Sequence, residues 1–174
     1  KSLFENPVEV DIVPIKHINT DYAEYRPKLN AEENIMYFTS KRPGGSSDIL
    51  DDQGEYYEDI YVSKKKMGVW TDPQLVNDLI NTTESSSCLY LSPDGEHMFL
   101  SMVNNDQKLG HLGRGIYEAR LDGNHWNNPE FLDQKVNSKY WETYASLDIY
   151  GNVLFFVSDR EGGYGGRDIW MIKK

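Results

Sequence analysis

The chain has 174 residues with 28 acidic and 18 basic side chains, a formal charge of −10. That length fits one domain or two small ones, and the charge argues against a nucleic-acid binder, which needs a basic patch on the backbone phosphates. A single cysteine, Cys88, rules out an internal disulfide and a cysteine-based zinc site, and no apolar run nears the roughly 20 residues of a membrane-spanning helix.

Aromatic residues make up 13% of the chain, including twelve Tyr and four Trp, which suits half-buried sheet and not disorder. The first ten residues mix charge and proline and do not read as a signal peptide, so an exported protein would be represented here by a mature or trimmed chain. Pro7-Val8-Glu9-Val10-Asp11-Ile12-Val13-Pro14 reads as an edge strand. Asn19-Thr20 follows, then a strand over 25–29, a turn over 30–34 and an apolar strand over 35–40. After a loop over 41–58 come a strand over 59–63, Trp70-Thr71-Asp72-Pro73 and a short strand near 74–76.

The same series then returns. Asn81-Thr82 precedes strands over 89–92, 97–102 and 115–120, with Trp126-Asn127-Asn128-Pro129 and a short strand near 130–132. Asn137-Ser138 precedes strands over 143–147, 153–158 and 168–172. The turns carry Pro93-Asp94-Gly95 and Gly151-Asn152, residues that tolerate positive φ in hairpins. Spacings agree: Ile60 to Ile116 is 56 residues, Ile116 to Ile169 is 53, and Trp70 to Trp126 is 56. No segment shows a helical period, because Pro, Gly, Asn and Asp interrupt the chain too often.

Repeated units of four short antiparallel strands are the pattern of β-propeller blades. The expected fold is all-β, with about three blades: a closing strand over 1–20, then blades over 21–80, 81–136 and 137–174, the last incomplete. Two readings of the blade count stay open. The chain is a fragment of a larger propeller, or a second copy joins it as a homodimer and closes a ring of six.

The run Ile18-Asn19-Thr20-Asp21-Tyr22-Ala23-Glu24-Tyr25-Arg26-Pro27, with Met36-Tyr37-Phe38-Thr39-Ser40-Lys41-Arg42, resembles the WD40-like, TolB-type propeller repeats of Bacteroidetes OmpA-family outer-membrane proteins. Leu91-Ser92-Pro93-Asp94-Gly95 and the stretch from Phe156 to Trp170 carry the same resemblance, which extends from about Val10 to Lys174. In that family the repeats sit beside tetratricopeptide helices and a peptidoglycan-binding OmpA-like domain, an arrangement seen in PorE of the type IX secretion and gliding machinery. None of those flanking domains lies within residues 1–174, so peptidoglycan binding does not carry over. The resemblance implies a periplasmic, outer-membrane-associated binding or scaffolding module within a type IX secretion or peptidoglycan-anchoring assembly. Its partners would be envelope proteins or peptides, or a glycan. The second unit departs from the pattern. It has Ser85-Ser86-Ser87 where the others place Glu24 and Glu142, and Gly115 in place of Asp59 and Asp168.

Candidate site residues are few. Arg42 and Arg160 follow the second strand of their units as Ser-Lys-Arg and Ser-Asp-Arg, and a guanidinium suits carboxylate or phosphate. The competing expectation is a salt bridge between blades to Glu24, Glu142, Asp59 or Asp168. Glu24 and Glu142 form an acid pair for an alternative hydrolase reading, a carbohydrate- or peptide-processing enzyme, only if they share one channel without arginine partners. Asp59 and Asp168 read as hydrogen-bond acceptors within their own blades. Trp141, with Tyr140 and Tyr164, lacks repeat counterparts and is a candidate aromatic platform. Asp48, Asp51, Asp52 and Glu55 lie in an acidic loop, a weak calcium candidate without EF-hand spacing. Gly162-Gly163-Tyr164-Gly165-Gly166 lacks the Lys-Ser/Thr ending and following helix of a phosphate loop. The four histidines are scattered, Trp70 and Trp126 are expected at blade outer edges, and Cys88 is expected to be buried. No cofactor is expected.

Overall fold

The computed structural model describes residues 10–104 and 113–173. His111, and residues 1–9 of the expected closing strand, lie outside them. Thirteen strands and no helix occur among the described residues. β1 (Glu24–Leu29), β2 (Ile35–Ser40) and β3 (Asp59–Lys66) form the first antiparallel sheet, with β4 (Val69–Trp70) and β5 (Gln74–Leu75) both on β3. β6 (Ser86–Leu91), β7 (His97–Asn104) and β8 (Gly113–Asp122) repeat it, with β9 (His125–Trp126) and β10 (Glu130–Phe131) on β8. β11 (Glu142–Leu147), β12 (Val153–Ser158) and β13 (Asp168–Lys173) form the third. Each strand expected within the three blades is present, and the third strands of the first two sheets run further than expected, to Lys66 and Asp122, where each turns into a short hairpin.

Three like sheets in sequence order make a partial propeller. The first strands β1, β6 and β11 lie against one another, so the sheets radiate from an axis. In each first strand the register slips by one residue, between Tyr25 and Lys28, Cys88 and Tyr90, and Thr143 and Ser146. Such bulges bend a strand and re-aim its side chains.

Alternation along the second strands builds the core. Met98, Leu100 and Met102 of β7 face the first sheet, packing with Tyr37, Ile60 and Cys88. Phe99 faces the third sheet, packing with Leu154 and Phe156 of β12. Both faces of β7 are covered, which is why its sequence is almost continuously apolar. Each such side chain contributes about 1.5–3 kcal/mol on burial. The opposite face of the first sheet packs Met36, Phe38 and Tyr61 on Ile15 and Ile18. The opposite face of the third sheet is open: Phe155, Ile169 and Met171 are exposed, Ile169 to 78%.

The Asn of the second and third Asn-Thr/Ser signals closes the sheet before it. Asn81 accepts from Ile60 N (2.7 Å) and donates to Ile60 O (2.8 Å) and Val76 O (3.0 Å), tying β3 to the β5 segment. Asn137 repeats this with Ile116 N, Ile116 O and Leu132 O, each at 2.8 Å. Asn19 is exposed and makes none of these bonds. Val10, Ile12 and Val13 ahead of it are exposed and belong to no strand, so the described part of the expected closing strand pairs with no described strand.

Trp126 departs from the outer-edge expectation. It is buried, its ring stands edge-on to Tyr37 at 5.6 Å, and its Nε1 donates to Tyr37 Oη at 3.3 Å. It therefore packs between the first and second sheets. Trp70 is half-buried against the Ile15–Ile18 cluster, the corresponding place on the first sheet.

Candidate functional site

The four residues singled out as Glu/Arg pairs do come together, within blades and not between them. Glu24 accepts from Thr20 N (3.0 Å), Thr20 Oγ1 (2.6 Å), Ser40 Oγ (3.0 Å) and Arg42 NH2 (3.2 Å). Burial works to raise its carboxyl, but the Thr20 and Ser40 hydrogen bonds and the Arg42 charge outweigh this and hold it below the ordinary range. Arg42 also donates to Ser40 Oγ and Ile18 O and lies over the rings of Tyr61 (4.7 Å) and Phe38 (5.4 Å). In the third sheet Glu142 accepts from Ser138 N (3.0 Å), Ser138 Oγ (2.5 Å), Ser158 Oγ (2.9 Å) and Arg160 NH2 (3.1 Å). Arg160 further donates to Ser158 Oγ, Lys135 O and Val136 O and lies over Phe156 and Trp170. Both guanidinium groups are spent on the serine and glutamate of their own blades and on carbonyls of the segment just before. Each carboxylate is tied to an arginine, so the hydrolase alternative loses its acid pair.

Asp59 and Asp168 behave as expected. Asp59 is buried and accepts from Ser46 N (2.9 Å) and Ser46 Oγ (2.6 Å). Burial raises its carboxyl above the ordinary value, and the Ser46 bonds only partly oppose that. Asp168 accepts from Tyr164 N (2.9 Å) and Gly165 N (3.1 Å). The glycine-rich run is therefore a cradle for the blade's own carboxylate. A Cβ on Gly163 would stand 2.1 Å from Asp168 Oδ2, and one on Gly45 2.0 Å from Asp59 Oδ2.

The remaining candidates stay apart. Arg167 lies 3.8 Å over the Trp141 ring, and the Trp141 backbone N–H donates to Asp159 Oδ1 at 2.9 Å. Tyr140 donates to Glu161 at 2.6 Å, with Lys139 over its ring. Tyr164 projects its ring fully into solvent. No ring contact joins these three among the described residues. In the acidic loop Asp48 caps Gly44 N (2.9 Å), Asp51 accepts from Gln53 N and Glu55 N, and Lys41 pairs with Glu55. Asp52 is exposed. No group of three metal-ligating side chains occurs among the described residues.

A different cluster lies at the axis. Arg26 of β1 and Tyr144 of β11 hold the same place in the first and third sheets, in the bulge, and both have φ of +54°. That conformation costs on the order of 1–3 kcal/mol at a non-glycine residue and concentrates at functional sites. It turns both side chains toward the axis, where Arg26 Cζ stands 5.5 Å from the Tyr144 ring and 5.5 Å from the Tyr25 ring. Arg26 NH1 donates to Ser87 Oγ of the second sheet at 2.6 Å. Three blades thus meet around one guanidinium. Tyr25 donates to Glu58, and Arg114 pairs with the same carboxylate while donating to Ser101 Oγ at 3.1 Å. Burial first, then the hydrogen bond to Glu58 and its charge, raises the Tyr25 phenol, keeping it a neutral donor.

Arg42, Arg114 and Arg160 are half-buried and ion-paired. Arg26 is equally half-buried, yet no carboxylate lies within ion-pairing distance of it among the described residues. It offers free donors between two aromatic rings beside a hydroxyl, a setting suited to a carboxylate. The sequence hid this site. Arg26 follows a tyrosine in an ordinary strand pattern, and only the bulge and the convergence of β1 with β11 expose it.

No protein-family model matches the chain, and no curated protein matches it. Fourteen solved chains do match. One is described as "putative TolB from Agrobacterium tumefaciens", with 14% identity over 88% of this chain and a TM-score of 0.47. This chain spans 59% of that structure's length. The partial propeller stands on the three sheets themselves.

Proposed function

We propose that the chain is a non-catalytic binding module whose axial face, centred on Arg26, holds a carboxylate-bearing segment of a protein partner. The observation that carries the reading is the unpaired guanidinium of Arg26, set among Tyr25, Tyr144 and Ser87 while the other half-buried arginines are neutralised. The carboxylate is an Asp or Glu side chain or a polypeptide C-terminus. The ring of Tyr144, 56% exposed, gives the neighbouring residue an apolar seat. With a net charge of −10 the chain does not draw anions from a distance, so selection falls to the local geometry.

The repeat resemblance supports a finer setting. We read the module as periplasmic and associated with the outer membrane of a Bacteroidetes-type envelope, within an OmpA-family protein such as those of type IX secretion. Fractionation of the native organism with an antiserum to this chain tests that placement.

Displayed 12-residue peptides test the site. One library contains Asp, Glu and free C-termini; the other has Asn and Gln in place of the acids and amidated ends. Binders should come only from the first, and Arg26→Gln should weaken them at least tenfold, the low end for a charge-assisted hydrogen bond of about 1.5–3 kcal/mol. Equal yields from both libraries, or unchanged affinity in Arg26→Gln, would refute the reading.

A further inference from the structure

At the opposite end of the sheets from the Glu/Arg pairs, a cavity of about 410 Å³ opens between the second and third sheets. Its floor is apolar, from Phe99, Leu132, Val136, Leu154 and Ile172, and Glu118 stands at its edge. The register identifies what it corresponds to. Phe99 pairs with Glu118 as Tyr37 pairs with Val62, and Leu154 pairs with Ile172 as Met98 pairs with Ala119. The same groove between the first and second sheets holds Tyr37, Val76, Ile80, Met98 and Ala119, and there it is full. Trp126, delivered by the β8–β9 hairpin, fills it: the indole stacks edge-on against Tyr37, and its backbone carbonyl accepts from Asn77 Nδ2 at 3.0 Å. No described residue takes the place of Trp126 in the second groove. The edge of β13 beside that groove is also unpaired among the described residues, whereas the matching edge of β8 carries β9 and β10.

We infer that this cavity is an indole socket, taking the tryptophan of an extended polypeptide segment that adds antiparallel to the free edge of β13. The molecule itself supplies the template, since one groove of the same construction binds an indole from a segment on the equivalent edge. Unpaired strand edges accept added strands through main-chain hydrogen bonds, while side-chain pockets supply selection. A buried indole N–H needs an acceptor. In the first groove that is Tyr37 Oη. Phe99 has no hydroxyl, and Glu118 replaces Val62 at the rim, held as a carboxylate by His97 at 2.9 Å and by Arg120. Asp133, in the place of Asn77, offers a carboxylate where the first groove offers an amide donor, so a segment with a donor beside its tryptophan is favoured. This socket is separate from the axial site, and its failure would leave the Arg26 reading untouched.

The probe is the 12-residue peptide with the sequence of residues 121–132 of this chain, alongside the same peptide carrying Trp126→Ser. Both are titrated into the isotope-labelled chain by NMR. Amide shifts should gather at Phe99, Leu154 and Ile172, and the serine peptide should bind at least tenfold more weakly. Phe99→Tyr, which restores the hydroxyl of Tyr37, should tighten the tryptophan peptide severalfold. As a second format, the same twelve residues are joined after Lys174. Their tryptophan emission should shift to the blue and the melting temperature should rise, with no rise for the serine version. The inference is overturned if both peptides act alike, if shifts gather at Tyr37 or Arg26 instead, or if neither format responds at millimolar peptide.

Discussion

Replacing Asn137 by Ala removes one accepted and two donated hydrogen bonds, each 2.8 Å long, from a site only 1% exposed. Ile116 O keeps a second partner, because it also accepts from Leu132 N at 3.1 Å. Ile116 N and Leu132 O lose theirs. A buried group left unsatisfied costs about 1–3 kcal/mol, against about 0.5–1.5 kcal/mol for the net value of an ordinary hydrogen bond. One buried N–H and one partly buried C=O then give a loss of about 2–4 kcal/mol, or roughly 5–15 °C in melting temperature for a chain of this size. The assay is urea unfolding followed by tryptophan fluorescence, with the slope m compared to confirm that only stability moved. Asn19→Ala is the internal control: it stands at the same point of the repeat but is exposed and clamps nothing, so its cost should stay within about 0.5 kcal/mol. If the two variants cost the same, or Asn137→Ala costs under about 1 kcal/mol, the clamp is not what closes the sheet.

Gly163→Ala drives a methyl to 2.1 Å from the Asp168 carboxylate and should cost about 1–3 kcal/mol, whereas Gly166→Ala meets nothing within 4 Å and should be close to neutral in the same thermal melts. Glu24 is held below its ordinary value in the folded chain, so its contribution is complete above that ordinary value and is lost as pH falls through the lower folded one; Glu24→Gln should flatten the acid limb of the stability curve measured by urea unfolding. Cys88 is buried with its thiol pushed up to about 12 by desolvation, so a thiol reagent at pH 8 should label it only at the rate of unfolding, and labelling of the native chain within minutes would refute the buried placement.

The repeat was legible because each blade needs the same local chemistry. A propeller sheet wants an apolar second strand, a Gly- or Asn-bearing turn and an Asn to close its outer edge, and those requirements recur in sequence at nearly constant spacing. The Asn signal was visible, but its purpose was not, since its partners are backbone groups of Ile60 and Ile116 some twenty residues upstream. The acid and arginine candidates were visible as a pattern for the same reason, and that regularity marks them as scaffold. Trp126 was misplaced because spacing says which strand a residue ends and not which neighbouring sheet it leans on. His97 was one of four scattered histidines, and only the pairing of β7 with β8 brings it to Glu118. Arg26 could not be singled out at all, because its surroundings come from three different blades.

The second unit's departures from the repeat now take on a common meaning. Ser86 stands where Glu24 and Glu142 stand, and its Oγ is buried without a hydrogen-bond partner among the described residues. Gly115 stands where the blade aspartate would be, and a Cβ there would meet the Phe131 ring at 2.5 Å, so an aromatic ring replaces the Asp cradle. Lacking its own carboxylate, the second sheet turns Arg114 to Glu58 of the preceding loop, and Tyr25 donates to the same group. Each Glu58 oxygen thereby takes a partner other than Arg26, which is left with the Ser87 hydroxyl and two rings. A glutamate at position 86 would put a carboxylate in the middle blade next to Ser87, the hydroxyl that Arg26 already reaches. Ser86→Glu restores the repeat's acid one residue from Ser87 and should weaken carboxylate-peptide binding at Arg26; undiminished binding in a folded Ser86→Glu chain would show that the lost acid and the unpaired arginine are independent.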